Sequence, residues 1–128
     1  MKKLFLTFAM LFSTVMFSLP SYAKWTMFSE MFNRTYYVDF EGLRKYDEEV
    51  YFWFLVEAPT PNSLGQLSTK TYYQVNCRSF GLKALTWSIH KEPMGGGIGE
   101  GSGKPDQDWT YPPTNSLNGE LLREVCSR

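Results

Sequence analysis

The sequence predicts an α+β domain, in which an antiparallel sheet is followed by a C-terminal helix that packs on one face and is tethered by a disulfide. Short aromatic and β-branched segments recur along the chain, and two of them alternate in residue type, as strands do. A segment near the C-terminus has its apolar residues at helical spacing. The two cysteines, Cys77 and Cys126, fall on an alternating segment and on that helical segment.

The first two predicted strands are Trp25 to Ser29 and Thr35 to Phe40, which are short and rich in β-favouring residues. Residues 30–34 between them suit a hairpin loop. Residues 39–49 mix polar residues with Gly42 and finish with three acids, so they are predicted as a turn that can include one helical turn.

The strongest predicted strand runs from Val50 to Val56 without a polar break, which is typical of a central strand covered on both faces. Periodicity alone also allows a buried helix, but the β-branched and aromatic content favours a strand. The two prolines and the Asn, Ser and Gly of residues 58–65 end this strand, and they predict an exposed loop.

Two further strands are predicted from alternation. In the first, from Thr69 to Cys77, one face carries Thr71, Tyr73, Val75 and Cys77, so Cys77 is predicted to point into the core. In the second, from Leu82 to His90, one side carries Leu85, Trp87 and Ile89, and the other carries Thr86, Ser88 and His90.

The rest of the chain is predicted as a glycine-rich stretch and a helix. More than half of the residues from Met94 to Lys104 are glycine, so this stretch is expected to be mobile. Three candidate N-caps, residues 114–116, precede the helix, and Glu120 lies in the first turn, where the helix dipole favours an acid. The predicted apolar face of the helix consists of Leu117, Leu121, Leu122, Val125 and Cys126.

Residues 1–23 have the pattern of a secretory signal peptide: two lysines, an uncharged run from Leu4 to Leu19, and small residues before a predicted cleavage between Ala23 and Lys24. The run is shorter than the ~20 residues of a membrane helix, and retention as an N-terminal anchor is the alternative. The mature chain, residues 24–128, is then a single domain with no transmembrane segment. No cysteine follows the cleavage point, so we expect a periplasmic or secreted protein without a lipid anchor.

The net charge of the mature chain and its cysteine content limit the classes of function that the protein can have. Removing Lys2 and Lys3 from 13 basic residues leaves 11 against 13 acids, so binding of nucleic acid or anionic membrane has no electrostatic basis. Two cysteines in an exported chain predict a Cys77–Cys126 disulfide, and two free buried thiols are the alternative.

No motif predicts catalysis, a metal or a cofactor. The glycine stretch fails the spacing of both dinucleotide and P-loop motifs. His90 is the only histidine and is expected to face solvent, and Ser88 beside it has no orienting acid or oxyanion site in the local sequence. The acids of residues 47–49 are predicted to be a solvated charge run. A non-enzymatic role is therefore expected.

Aromatic residues come in adjacent pairs along the predicted strands, so half of these rings cannot lie in a one-sided core. A second layer or a partner chain can cover the outward rings, or they can form an exposed patch for protein recognition. Both alternatives remain open. The paired residues are Tyr36, Tyr37, Tyr51, Phe52, Trp53, Phe54, Tyr72 and Tyr73.

The order of these elements resembles the surface-adhesin protein E family of small exported bacterial proteins. The matching pieces are Lys24-Trp25, residues 35–39, 50–56, 68–70 and 72–77, the glycine-rich segment, Trp109, residues 112–116, Leu122 and Cys126. The resemblance implies a sheet of about six antiparallel strands with the helix held to its concave face by the disulfide. It also implies adhesion to extracellular proteins.

The sequence and the resemblance together favour a non-enzymatic, adhesin-like protein that contacts extracellular or envelope proteins through exposed aromatics and the loops of residues 59–65 and 95–103. The alternative is a periplasmic envelope module that binds a small ligand or assists envelope assembly. A homodimer through a sheet edge or the outward rings is compatible with either function.

Overall fold

The computed structural model describes residues 24–101 and 108–128. These residues form one six-stranded antiparallel sheet and one α-helix, which confirms the predicted fold class. The strands are β1 (Thr26–Met31), β2 (Arg34–Val38), β3 (Arg44–Tyr46), β4 (Glu49–Glu57), β5 (Ser68–Asn76) and β6 (Gly81–His90), and the helix is α1 (Leu117–Cys126).

Strand β4 lies at the centre of the sheet, as its unbroken apolar run predicts. The strand order is β1-β2-β4-β5-β6, and β3 also pairs with β4. Strand β3 corrects the prediction that residues 39–49 form only a turn, because Arg44–Tyr46 pair with residues 49–51. The predicted turn is present at residues 40–42, before β3, and a second turn at Asp47 and Glu48, where Asp47 has a positive φ of 53°, joins β3 to β4.

The hairpin between β1 and β2 is tighter than predicted. The sequence predicts a loop over residues 30–34, whereas the structure continues both strands to a two-residue turn at Phe32 and Asn33. Both residues have positive φ values, 55° and 59°, which is the backbone of a type I′ turn. Asn tolerates this conformation well, but Phe is unusual there, so the sequence gives no clear signal.

One face of the sheet packs against α1 and forms the core. The N-cap of α1 is Ser116, one of the three predicted candidates, and its Oγ accepts a hydrogen bond of 3.1 Å from the backbone N–H of Gly119. The core side chains are Tyr36, Val38, Val50, Phe52, Phe54, Val75 and Leu82 from the sheet and Leu121, Leu122 and Val125 from the helix. We call this side of the sheet the helix face.

The disulfide joins the end of α1 to the residue after β5. Cys77 and Cys126 are bonded, with their Cα atoms 5.8 Å apart, which confirms the prediction and excludes free thiols at both positions. Lys45 adds a second link from β3, because its Nζ donates to the carbonyl oxygens of Cys126 and Arg128 at 3.1 and 2.7 Å. The helix is therefore fixed to the sheet at its C-terminal end as well as along its apolar side.

The alternation predicted for β6 is interrupted once. Tyr72 pairs with Thr86 and Tyr73 pairs with Ala84, so Leu85 is an extra residue in a β-bulge. Because of the bulge, Leu82 and Ala84 share the helix face with Trp87 and Ile89, which strict alternation over residues 82–90 does not predict.

The predicted signal peptide, residues 1–23, lies outside the described residues, and so does part of the glycine-rich stretch, from residue 102. Within the described ranges, none of the helices has the length and apolar character needed to span a membrane.

Candidate functional site

Three connections lie at one end of the sheet, and we call them the loop end. They are the β1–β2 turn at residues 32–33, the β4–β5 loop at residues 58–67, and residues 91–101 after β6. Antiparallel order brings them together, because β1, β4 and β6 finish at the end where β2 and β5 begin. The predicted contact loop at residues 59–65 therefore neighbours the described part, residues 95–101, of the predicted loop at residues 95–103.

Each connection of the loop end carries a large apolar side chain in solvent. Phe32 is 81% exposed in the hairpin turn, Leu64 is 69% exposed in the β4–β5 loop, and Ile98 is 91% exposed in the glycine-rich stretch. Their exposure on three neighbouring connections makes the loop end a candidate site for protein contact. The sequence places Leu64 and Ile98 in predicted contact loops but gives Phe32 no special role.

The β4–β5 loop is held in shape by Asn62. Its Oδ1 accepts hydrogen bonds from the backbone N–H groups of Leu64 and Gln66 at 3.0 and 2.9 Å. Its side-chain amide donates to the Gln66 side chain at 2.9 Å. Gly65 has a φ of 76°, which a glycine adopts without strain. The predicted exposed loop is thus present, and it holds Leu64 in a defined position.

The described part of the glycine-rich stretch is hydrogen-bonded to the sheet. Ser68 Oγ accepts from the N–H of Gly95 at 3.0 Å and donates to the carbonyl oxygen of Glu92 at 2.8 Å. Farther along, the backbones of Ile89 and Glu100 exchange two hydrogen bonds of 2.9 and 2.8 Å. These contacts fold residues 93–100 back against β5 and β6, which predictions from glycine content alone do not reveal.

His90 is 3% exposed, so the prediction that it faces solvent is wrong. Its Nδ1 lies 3.0 Å from the carbonyl oxygen of Gly96, and its Nε2 lies 2.7 Å from Ser88 Oγ. The imidazole therefore donates from Nδ1 to the carbonyl and accepts from the serine hydroxyl. Both ring nitrogens are used to hold the glycine-rich stretch, which gives His90 a structural role beside Ser88.

We find no candidate metal site among the described residues, because no cluster of three or more His, Cys, Asp or Glu side chains there could hold an ion.

The predicted charge run at residues 47–49 is divided between two roles. Glu48 pairs with Arg78 at 3.4 Å in solvent, whereas Glu49 begins β4 and accepts side-chain hydrogen bonds.

A cleft of about 580 Å³ opens between the hairpin turn and the β4–β5 loop. Glu57 lines it, and the Oε2 atom of this side chain is buried without a hydrogen-bond partner among the described residues. A buried carboxylate oxygen without a donor is costly, so a donor from a ligand would be favourable here. Other lining residues are Glu30, Phe32, Thr35, Tyr37 and Pro59.

The face of the sheet opposite α1 carries a continuous row of rings, and we call Tyr46, Tyr51, Trp53 and Tyr72 the aromatic face. The ring centroids are 5.9 Å apart for Tyr46 and Tyr51, 6.3 Å for Tyr51 and Tyr72, and 4.9 Å for Tyr72 and Trp53. Tyr46 is 64% exposed, and the other three are half-buried. The row thus contains the outward members of the predicted aromatic pairs in β4 and β5.

Polar contacts fix the middle of this row. The Tyr51 hydroxyl donates to Glu49 Oε2 at 2.9 Å, and the Gln74 amide donates to the same oxygen at 2.8 Å and to the hydroxyl at 3.1 Å. The hydrogen bond to Glu49, together with burial and the charge of that carboxylate, raises the pKa of Tyr51 above its ordinary value. The phenol therefore stays neutral at physiological pH.

Cations lie among the rings. Lys70 Nζ is 5.2 Å from the centroid of the Trp53 ring, and Lys83 Nζ is 5.3 Å from that of Trp109. Arg44 is opposite Tyr51 in the β3–β4 register, so its side chain leaves the sheet on the same face. The sequence places Lys70 and Tyr72 on one strand face, but the strand pairing that adds Arg44 and Lys83 is visible only in the fold.

Comparisons with known proteins give a consistent result. Residues 25–127 match the model of the family described as surface-adhesin protein E. A search of curated proteins finds no match. Crystal form II of Haemophilus influenzae protein E is 16% identical with a TM-score of 0.66, and the alignment covers 84% of this chain and 91% of that chain. Protein E from non-typeable Haemophilus influenzae is 15% identical with a TM-score of 0.61, and the alignment covers 84% and 80%. At these identities the structures share the fold.

Proposed function

Because this chain belongs to the surface-adhesin protein E family, we propose that it is an exported, non-enzymatic, adhesin-like protein whose loop end contacts extracellular proteins. The observation that carries the proposal is the exposure of Phe32, Leu64 and Ile98 at that end. Each side chain comes from a different connection on a rigid sheet, which is a common arrangement for binding loops. Contact with a partner would remove their apolar surface from water, which is favourable.

The test is retention of the mature chain on a panel of immobilised extracellular matrix proteins, compared with a variant carrying Phe32→Ser, Leu64→Ser and Ile98→Ser. We expect the variant to lose retention about tenfold or more while keeping its unfolding midpoint, because these side chains face solvent. The matched control is Met27→Ser, which removes another exposed apolar side chain near the opposite end of β1. Equal retention of the triple variant and the unchanged chain would contradict the proposal.

Export is part of the same proposal. Residues 1–23 carry the signal-peptide pattern, and the disulfide is the kind of bond that persists outside the cytoplasm. Intact-mass measurement on periplasmic, surface and medium fractions is expected to give a chain that starts at Lys24 and is two hydrogens lighter than the reduced form. An uncleaved chain in the membrane fraction would support the anchor alternative instead.

A periplasmic module that binds a small ligand is the second candidate, and the cleft beside Glu57 favours it. The Oε2 atom, which has no hydrogen-bond partner within residues 24–101 and 108–128, suits a ligand that donates hydrogen bonds, such as an amine. Native mass spectrometry of protein purified from the periplasm tests this candidate. A bound amine that is lost in Glu57→Gln would favour it, whereas ligand-free protein would leave adhesion as the function.

A further inference from the structure

We propose that the aromatic face, with Arg44, Lys70 and Lys83, binds a linear polysaccharide that carries sulfate and carboxylate groups, the chemistry of the glycosaminoglycan chains of the extracellular matrix. This site goes beyond the proposed protein contact, because it lies on the sheet face opposite α1, whereas that contact lies at the loop end. Three arguments support it: the local charge, the chemistry of the rings, and the arrangement of the rings in a row.

The local charge is positive, although the mature chain has two more acidic than basic side chains. Arg44, Lys70 and Lys83 make no ion pair with a carboxylate among the described residues. Glu49 is the acid within the row, and two hydrogen bonds from Tyr51 and Gln74 already engage its Oε2. The cations are therefore available to sulfate and carboxylate groups, which basic side chains bind through charge-assisted hydrogen bonds.

Two of the cations are held in place before any ligand arrives. Lys70 lies between the Trp53 ring and the glycine-rich stretch, so closely that a Cβ on Gly95 would stand 3.2 Å from the Lys70 Cδ atom. Lys83 lies over the Trp109 ring. Side chains that are already ordered lose less entropy on binding, which favours affinity for a flexible polymer.

The rings supply the second part of the recognition. The face of an aromatic ring is electron-rich and its edge is electron-poor, and a sugar ring offers polarised C–H groups on one side and hydroxyls around its rim. The hydroxyls of Tyr46 and Tyr72 and the amide oxygen of Gln74 lie beside the rings and can bond to such a rim. A surface that combines rings, hydroxyls and cations therefore matches a charged sugar chain more closely than an apolar surface does.

The shape of the face favours a polymer over a protein. Neighbouring rings follow each other at 4.9 to 6.3 Å, and the cleft beside Glu57 is lined by other residues. A second cleft of about 830 Å³, between the hairpin turn and residues 110–118, also excludes the row. Protein partners usually insert anchoring side chains into pockets, whereas a linear polysaccharide repeats the same contact along a surface.

The experiment is calorimetric titration of the disulfide-bonded mature chain with a heparin-derived dodecasaccharide. We expect the double variant Lys70→Gln and Lys83→Gln to bind about tenfold more weakly, and raised salt to weaken binding of the unchanged chain. Tyr46→Ser removes a largely exposed ring and is expected to weaken binding about threefold without loss of fold. A neutral dextran fragment of the same length is expected not to bind.

The control variant removes the same number of positive charges from another part of the surface. Lys24→Gln with Lys91→Gln deletes two exposed cations that pair with Glu41 and Glu100, and it is expected to leave the affinity unchanged. Equal weakening in this control, an unchanged affinity in Tyr46→Ser, or equal competition by poly-L-glutamate would each overturn the proposal. The last outcome would identify the face as a site for acidic protein segments. Failure here leaves the loop-end proposal intact, because that proposal is measured with other variants and protein ligands.

Discussion

At the scale of single residues, Gly119 occupies a helix position where the lack of room for a side chain matters more than helix propensity. Alanine in place of glycine gains about 1 kcal/mol of helix propensity. At this position, however, an added Cβ would overlap the carbonyl oxygen of Pro113, which is rigid backbone. We expect Gly119→Ala to lower the free energy of unfolding by about 2 kcal/mol in urea denaturation. Asn118→Ala is the control one position earlier, and a stabilised Gly119→Ala would contradict this close approach.

The environment of Tyr51 predicts that the folded protein loses stability at alkaline pH. Its pKa is raised in the folded chain, so the stabilisation is complete below the unfolded value of about 10 and is lost as pH rises through the folded pKa. We expect Tyr51→Phe to lose less stability than the unchanged chain between about pH 9 and 12, measured by urea unfolding. Parallel pH profiles of the two proteins would show that the hydrogen bond to Glu49 contributes nothing to folding.

At the scale of elements, the disulfide fixes the end of α1 to the end of β5. It closes a loop with a sequence separation of 49 residues, for which chain entropy predicts about 4 kcal/mol of stabilisation. We expect Cys77→Ala with Cys126→Ala to lower the free energy of unfolding by about that amount, measured by denaturant unfolding without reductant. The unchanged chain under reducing conditions is the companion measurement, and an unchanged unfolding midpoint in both would contradict the estimate.

The sequence predicts the elements whose signal is local and repetitive. The run from Val50 to Val56, the alternation before Cys77 and the cap at Ser116 each rest on neighbouring residues, and all three appear in the structure. Strand β3 has three exposed residues, so no alternation between buried and exposed positions marks it. The bulge at Leu85 depends on how β6 registers against β5, which local sequence does not encode.

The candidate sites were predictable to a similar extent. Proline and glycine content identifies two of the three connections at the loop end, and adjacent aromatics identify outward rings. The burial of His90 was not predictable, because it depends on a carbonyl six residues later that folds back over the strand. The cations of the aromatic face come from three different strands, so their grouping depends on strand pairing.

At the scale of the whole molecule, three surfaces have separate tasks: the helix face forms the core, the loop end is proposed to contact proteins, and the aromatic face is proposed to contact polysaccharide. Although Lys70 packs near Gly95 of the loop end, the loop-end variant changes only the exposed side chains of Phe32, Leu64 and Ile98, so the variants of the two sites should act independently. We expect the loop-end triple variant to keep its affinity for the dodecasaccharide and Lys70→Gln with Lys83→Gln to keep retention on protein. If either variant also lost binding to the ligand of the other site while remaining folded, the two ligands would share one site.

The placement of the disulfide also bears on how the chain becomes oxidised after synthesis. Two cysteines allow a single intrachain pairing, so oxidation has no mispaired isomer that a disulfide isomerase would have to correct. Cys77 follows β5 while Cys126 ends α1, so in the export route proposed above the bond can form only after both cysteines have crossed the membrane. Until then the thiol of Cys77 is available to a second molecule. Intermolecular dimers are therefore the misfolded product to expect when export outpaces oxidation.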